Sequence, residues 1–353
     1  MQGDEAPQPD DSTGPDSGKP TGMPTSTKRA DFLAGVTCAF LLGILVLYLT
    51  MSDRHPLAEL LTIWPPVLYL FPSVVILGIL GWRNSNRQRI VSAALVTLFV
   101  VTLIEWRPLL RFSGGEGNFT IVTWNIGGGY PSEAELLKCL EDDHPDIVFF
   151  QESPDHADAF GGDVLPAAFE GYRYYDSGDC ATLIRWPCEV LESRSVGPWS
   201  KPQLLLAEID GRRVLLANVR LMLPSLILDP WNARSRVKLW HDNQTRREQY
   251  PLLVELIEQT RTQHQIDHVI LAGDFNTDAS ARSLDVIRRE FTDAWKERGS
   301  GWGGTAINGF PVARIDHIYV RNFKPEMARV IRSEFSDHLP VVANLNFVQT
   351  SPE

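Results

Sequence analysis

Asp274 and Asn276, a carboxylate and a neutral amide two residues apart, close the apolar run 269–272 just after Gly273. Residues 269–272 have the length and composition of a strand buried on both faces, and the glycine lets backbone approach a ligand closely. Alternate residues of a strand share a face, so Asp274 and Asn276 are expected side by side at a sheet end. Four other stretches are built alike. Residues 119–124 (FTIVTW) end at Asn125, and 146–150 (DIVFF) end at Gln151 and Glu152. Arg314-Ile315 runs into Asp316-His317, and Glu334-Phe335-Ser336 runs into Asp337-His338. Each is ordinary alone: Glu152 could cap a helix, Asp316 could form a turn, His338 could be a satisfied loop histidine. Five in order form a constellation of carboxylates, amides and an imidazole, groups that can ligate a hard cation and move protons.

The ordered set TWN (123–125), QE (151–152), GDFN (273–276), RIDHI (314–318) and SDHLPV (336–341) resembles the endonuclease/exonuclease/phosphatase family of magnesium-dependent phosphoesterases. The resemblance covers about residues 118–348. It implies a metal site at Glu152, with Asn125 and Asp337 beside it, holding magnesium or manganese. It also implies that Asp274 positions or deprotonates the attacking water and that Asn276 holds a phosphate oxygen. His338 would contact the scissile phosphate, with Asp316 fixing its tautomer. His317 points away from that pair and is read as structural. Many family members carry a histidine after the strand at 214–219, where this chain has Arg220. Arginine cannot release a proton at neutral pH, but it clamps phosphate well, so Arg220 is read with Asn125 as substrate-binding.

These residues need two sheets to position them. Strands are expected at 119–124, 146–150, 172–175, 181–185, 189–196, 203–209, 213–219, 269–272, 315–320, 327–331 and 340–347, with Asp210-Gly211 turning one hairpin. Helices are expected at 133–140, 155–168, 247–261 and 281–290. The mixture predicts an α/β fold of two packed sheets covered by helices, and the resemblance implies the same four-layer sandwich. Residues 226–244 read as an inserted loop. Its basic and aromatic residues, Trp231, Arg234, Arg236, Lys238, Trp240 and His241, could stack on bases or rest on lipid headgroups, or simply lie in solvent.

Residues 1–31 are poor in large apolar side chains and read as a disordered tail. Three apolar runs follow at 32–51, 57–82 and 90–106, each near the length of a bilayer-crossing helix. They predict a three-helix membrane region over 32–106, joined by a linker at 107–117 to a catalytic domain at 118–348, with a short tail at 349–353. Five Lys and Arg flank one side of the runs and three the other. The count predicts a multi-pass protein whose catalytic domain lies outside the cytoplasm.

The chain carries 33 Lys and Arg against 44 Asp and Glu, which is not the footprint of a tight, nonspecific duplex binder unless a cation supplies local charge. Cys180 and Cys188 could pair if the domain is exported, or remain free thiols. Three functions follow. The first is a membrane-anchored metal-dependent phosphodiesterase, with nucleic acid as the first-choice substrate. The second is a phosphodiesterase of lipids or lipid headgroups, and the third a catalytically silent membrane protein that binds phosphorylated ligands. No obligate protein partner is inferred.

Overall fold

The computed structural model describes residues 25–112, 114–129, 144–153, 169–225, 232–306 and 310–348. The helices expected at 133–140 and 155–168, Trp231 and most of the tail at 1–31 lie outside the described residues.

Among the described residues, twelve strands form two six-stranded sheets. The first has the order β11-β12-β1-β2-β4-β3 and the second β5-β6-β7-β8-β10-β9. Here β1 is Phe119–Asn125, β2 Ile147–Gln151, β3 Arg173–Asp176, β4 Cys180–Ile184, β5 Cys188–Val190, β6 Gln203–Ile209 and β7 Arg212–Arg220. Chain order continues with β8 His268–Asp274, β9 Thr292–Asp293, β10 Asp316–Arg321, β11 Phe323–Val330 and β12 Val341–Phe347. Both sheets are mixed, since β1 runs parallel to β2 and β7 to β8 while the flanking pairs are antiparallel.

Strand alternation explains the layering. Phe119, Ile121, Ile147 and Phe149 of the first sheet meet Leu205, Leu216, Ile270 and Ile318 of the second in the core between them. The alternate residues Val122, Trp124, Val148 and Phe150 line the outer face of the first sheet. Val269 and Leu271 turn outward to pack on Tyr250, Leu253 and Ile257 of a long helix. This core supports the expected sandwich of two packed sheets flanked by helices.

That helix departs from expectation. It runs Ala233–His264, 32 residues, capped by the Asn232 side chain and ended by Gln265 in the left-handed region. Residues 233–244, read from composition as an exposed loop, are therefore its first turns. Its Lys238 pairs with Asp242 one turn on, and Trp240 meets the His55 ring edge-on at 5.6 Å. The strand expected over 189–196 is also shorter, ending at Val190. Cys180 and Cys188 are free thiols.

Among the described residues, five helices precede the sheets: α1 Thr25–Thr50, α2 Pro56–Thr62, α3 Val67–Gly81, α4 Asn86–Leu103 and the single turn Trp106–Leu109. The expectation of three membrane-spanning helices is corrected here. Among the described residues only α1 is long and apolar enough to cross a bilayer, with a second crossing if α2 and α3, bent by 60°, count as one span. Pro65 and Pro66 break the second apolar run, because proline supplies no backbone donor and restricts the residue before it. The third run begins its helix with the polar turn Asn86-Arg87-Gln88-Arg89. The charge count that placed the catalytic domain outside presumed three crossings and loses its basis. Helices α1, α3 and α4 pack through Leu41, Ile44, Leu45, Leu77 and Phe99, while Phe32, Phe71, Ile79 and Ile90 stay exposed on their outer faces.

The helical region is tied to the sheets by buried charge. Glu59 of α2 pairs with Arg246 of the long helix, the side chains being 5% and 6% exposed, so both ions are out of water. Asn243 donates to Glu59 as well, and Asp53 accepts from Ser283. Removing one partner of a buried pair strands the other charge, which typically costs about 3–5 kcal/mol. Glu59→Ala is therefore expected to lower unfolding free energy by about that amount in denaturant titration, with Glu59→Gln losing less; an unchanged midpoint would show the pair to be energetically idle.

Candidate active site

The polar groups cluster where the apolar layer between the sheets gives out. On β1 the inward positions read Phe119, Ile121, Thr123, Asn125; on β8 they read Ile270, Ala272, Asp274; on β10 they read Val320, Ile318, Asp316. Each strand thus carries its core-facing periodicity one step too far and delivers a polar side chain into the same gap. Register completes the assembly: Asp274 stands opposite Arg220 on β7 and opposite Asp316 on β10, and Asn125 stands opposite Gln151 on β2.

Below the gap lies a buried polar layer. The Gln151 amide donates to Asn218 Oδ1 at 2.8 Å across the sheets, and Asn218 donates to the Phe150 and Ala181 carbonyls. A satisfied buried network fixes the spacing of its elements, so Gln151, one residue before Glu152, sets how far apart the sheets stand.

Asp274 is the centre of the cluster. Asn125 Nδ2 donates to its Oδ2 at 3.0 Å, Asn276 Nδ2 does the same at 3.0 Å, and the Asn276 backbone N–H donates to Oδ1 at 2.8 Å. The strand ends at Asp274 and Asn276 has φ of 48°. The two side chains therefore meet through an Asx-type turn and not by strand alternation. Asn276, expected to hold a phosphate oxygen, commits its amide hydrogens to Asp274 and the Leu221 carbonyl. Gly273 makes the turn feasible: its φ is +146°, and a Cβ there would lie 1.9 Å from the Val219 carbonyl oxygen.

His338 faces the carboxylates. Its Nδ1 is 2.9 Å from Asp316 Oδ2, and Nε2 makes no hydrogen bond among the described residues. The loop that carries it is pinned to β1, because Ser336 Oγ donates to the Asn125 carbonyl and Trp124 Nε1 to the His338 carbonyl. Asp337 is exposed and lies against Gly127, whose N–H donates to Asn125 Oδ1. His317 points the other way, buried between Arg314 and the Thr277 carbonyl. Burial and then the Arg314 charge press its pKa down to about 3, so it stays neutral.

Glu152 and Arg220 form the opposite wall. Asn125 donates to Glu152 Oε1 at 3.0 Å, and Arg220 donates to the same oxygen at 2.7 Å. The other terminal nitrogen of Arg220 reaches Asp179 at 3.1 Å, leaving its buried Nε without a partner. Asp179 was not singled out in the sequence, and nothing in its local context marks it.

The electrostatics follow from crowding. Burial raises the Asp274 pKa, the Asp316 charge raises it further, and His338 and the Asn donors only partly offset this, leaving it at about 7. Burial alone would lower the His338 pKa, but the Asp316 charge and hydrogen bond, aided by Asp274 and Asp337, hold it at about 10. Asp274, Asp316 and His338 each bring one potential ligand atom within 4.8 Å of the others. Asp316 Oδ1 is buried with no partner in hydrogen-bond range. An orphaned anionic oxygen in an oxygen-rich donor set fits a hard divalent cation.

Among known proteins, the Endonuclease/Exonuclease/phosphatase family sequence model matches residues 122–338. No curated protein matches the chain. Similar solved structures include the Bacteroides thetaiotaomicron mannosyl-6-phosphatase, 18% identical over 65% of this chain and 100% of that one, TM-score 0.46. A Bacteroides vulgatus endonuclease/exonuclease/phosphatase is 18% identical over 65% and 98%, TM-score 0.49. Truncated Caenorhabditis elegans TDP2 is 21% identical over 64% and 96%, TM-score 0.43.

Both shifted groups have folded-state pKa values above their ordinary 3.8 and 6.5. Each therefore contributes stability at low pH that is lost as pH rises, Asp274 between about 3.8 and 7 and His338 between about 6.5 and 10. In chelator, the melting temperature is expected to fall across both windows. Asp274→Asn should flatten the lower one and His338→Ala the upper; profiles identical to wild type would refute the assignment.

Proposed function

The chain belongs to the endonuclease/exonuclease/phosphatase family of phosphoester hydrolases, and on that premise we propose that it is a metal-dependent phosphodiesterase attached to a membrane through α1. The buried Asp274, Asp316 and His338 cluster with its orphaned carboxylate oxygen carries this reading. Asp316, through its unpartnered Oδ1, would hold the cation, with Glu152, Asn125 and Asp337 on the adjoining wall. A bound magnesium or manganese ion would supply positive charge for the phosphoryl oxygens and a lowered pKa for bound water.

The remaining roles fall to the protein. Asp274, at the end of β8 beside the cation site, accepts the proton of the attacking water. Asn125 and Asn276 aim that carboxylate by donating to it. His338 stays charged at neutral pH and offers Nε2–H to a phosphoryl oxygen, while Asp316 fixes its ring. Arg220 holds Glu152 and Asp179 in place through its two terminal nitrogens and adds positive charge to this wall of the site.

An open groove of about 680 Å³ supports nucleic acid as the substrate. It is lined by Arg220, Trp199, Lys238 and His241. Trp199 is 91% exposed and held at φ 61°. An exposed indole in a sparsely populated backbone region beside cations suits base stacking and phosphate contact. The second reading, a lipid or headgroup phosphodiesterase, is favoured by the junction. Arg246, paired with Glu59 of α2, also donates to Asn276 O and Thr277 Oγ1, so the helical region touches the catalytic loop itself.

Attachment through α1 rests on its length and on the exposed apolar faces around it. Full-length protein should float with neutral phosphatidylcholine vesicles. Incubated with magnesium, it should cut plasmid DNA, and cleavage of labelled liposomes alone would establish the second reading instead. Chelator should abolish turnover, and His338→Ala or Asp274→Asn should reduce it by roughly 10²–10⁴-fold with the fold intact. Unchanged rates in both variants would place the chemistry elsewhere.

A further inference from the structure

A cavity of about 530 Å³ lies at the seam between the N-terminal helices and the sheets, away from the cluster of Asp274 and His338. Its two walls differ in chemistry. The helical wall is apolar, with Leu49, Pro66, Val101 and Leu103. One turn back on the same helices, Val46 and Leu98 are 48% and 49% exposed, so this wall continues onto open apolar surface. The opposite wall is cationic, contributed by Arg282, Arg288, Lys296 and Arg314, with Arg107 at the rim.

Arg314 is answered by both Glu105 and Asp293, but the other cations outnumber the acidic groups left to them. Asp285 alone serves three guanidinium groups, those of Arg54, Arg282 and Arg288. Glu105 is engaged by Arg314 through two hydrogen bonds at 2.8 and 2.9 Å. Asp278 already accepts from the Ser280 N–H, the Ser280 hydroxyl and the Arg314 N–H. Lys296 has no ion pair or side-chain hydrogen bond among the described residues, and Arg107 rests only against the Trp106 ring. The Nε atoms of Arg282 and Arg288 are buried without hydrogen-bond partners. Burial and then the Arg288 charge lower the Lys296 pKa, and the Asp293 and Glu105 carboxylates only partly offset this.

We propose that this cavity binds the head of an anionic phospholipid, its phosphate between Lys296 and Arg107 and its acyl chains along Leu49 and Val101. A surplus of cations calls for an anion, and an apolar wall open to exposed apolar surface calls for one carrying hydrocarbon. Free phosphate would meet the first requirement and leave the second wall wet. The inference rests on membrane attachment through α1 and goes beyond it by assigning a lipid class and a site.

The test uses full-length protein purified in detergent and exchanged into phosphatidylcholine, with or without phosphatidylglycerol. Retained lipid is read by native mass spectrometry and stability by thermal melting. Wild type should retain phosphatidylglycerol over phosphatidylcholine by roughly tenfold. The double variant Lys296→Gln, Arg107→Gln should lose that preference, while Arg298→Gln, a change outside the cavity at the end of the short helix Ala294–Arg298 that carries Lys296, should keep it. Equal retention of both lipids by wild type, or an undiminished preference in the double variant, would overturn the site. Inorganic phosphate stabilising the detergent-purified protein as much as phosphatidylglycerol would make it a soluble-anion site and reject the lipid. A chain that fails to float with neutral vesicles overturns the attachment and this inference together. One that floats without lipid preference overturns this inference alone.

Discussion

Two buried carboxylates side by side set the terms for the structure around them. Asp274 and Asp316 are direct register partners on adjacent antiparallel strands, and each is 1% exposed. Like charges at that separation and burial cannot both ionise without compensation. The protein compensates in three ways: His338 bonded to one carboxylate, amides of Asn125 and Asn276 turned toward the other, and one oxygen left over to receive a cation. The raised pKa of Asp274 and the raised pKa of His338 are two faces of this single arrangement.

The sandwich makes the arrangement rigid. Phe149 and Ile270 pack deep between the sheets and Gln151 bridges to Asn218 above them. The strand ends are thus held apart by a hydrogen bond of fixed length and pressed together by apolar contact. Three loop anchors then act on backbone instead of side chains: Ser336 and Trp124 fix the His338 loop, and Arg246 fixes the Asn276 loop. Placing the anchors one shell out leaves the central carboxylates and the imidazole free to change protonation without unlocking the loops.

The sequence made the strand tips legible because each tip breaks a strong local pattern, apolar alternation giving way to a carboxylate or amide. Asn125, Asp274 and Asp316 stand where that break says they should. What depends on long-range meeting was not legible. Arg220 read as a substrate clamp, but two of its nitrogens are engaged by Glu152 and Asp179, 68 and 41 residues away. The Gln151 to Asn218 bond spans 67 residues. Composition also misled where it averaged. Residues 233–244 are polar enough to read as loop, yet pairing such as Lys238 with Asp242 suits a helix whose first turns lack a broad apolar stripe. The second apolar run counted as one span until Pro65 and Pro66 divided it.

The ionic seam between the helices and the sheets bears on any dissection of the chain. Severed at the linker near residue 113, the sheet domain would keep Arg246 and Arg314 but lose Glu59 and Glu105, whose carboxylates answer them. Arg314 would still have Asp293, whereas Arg246 would have no carboxylate left among the described residues. A fragment cut by homology alone would thus expose a bare guanidinium beside the Asn276 loop, and its behaviour would report on that wound as much as on the enzyme.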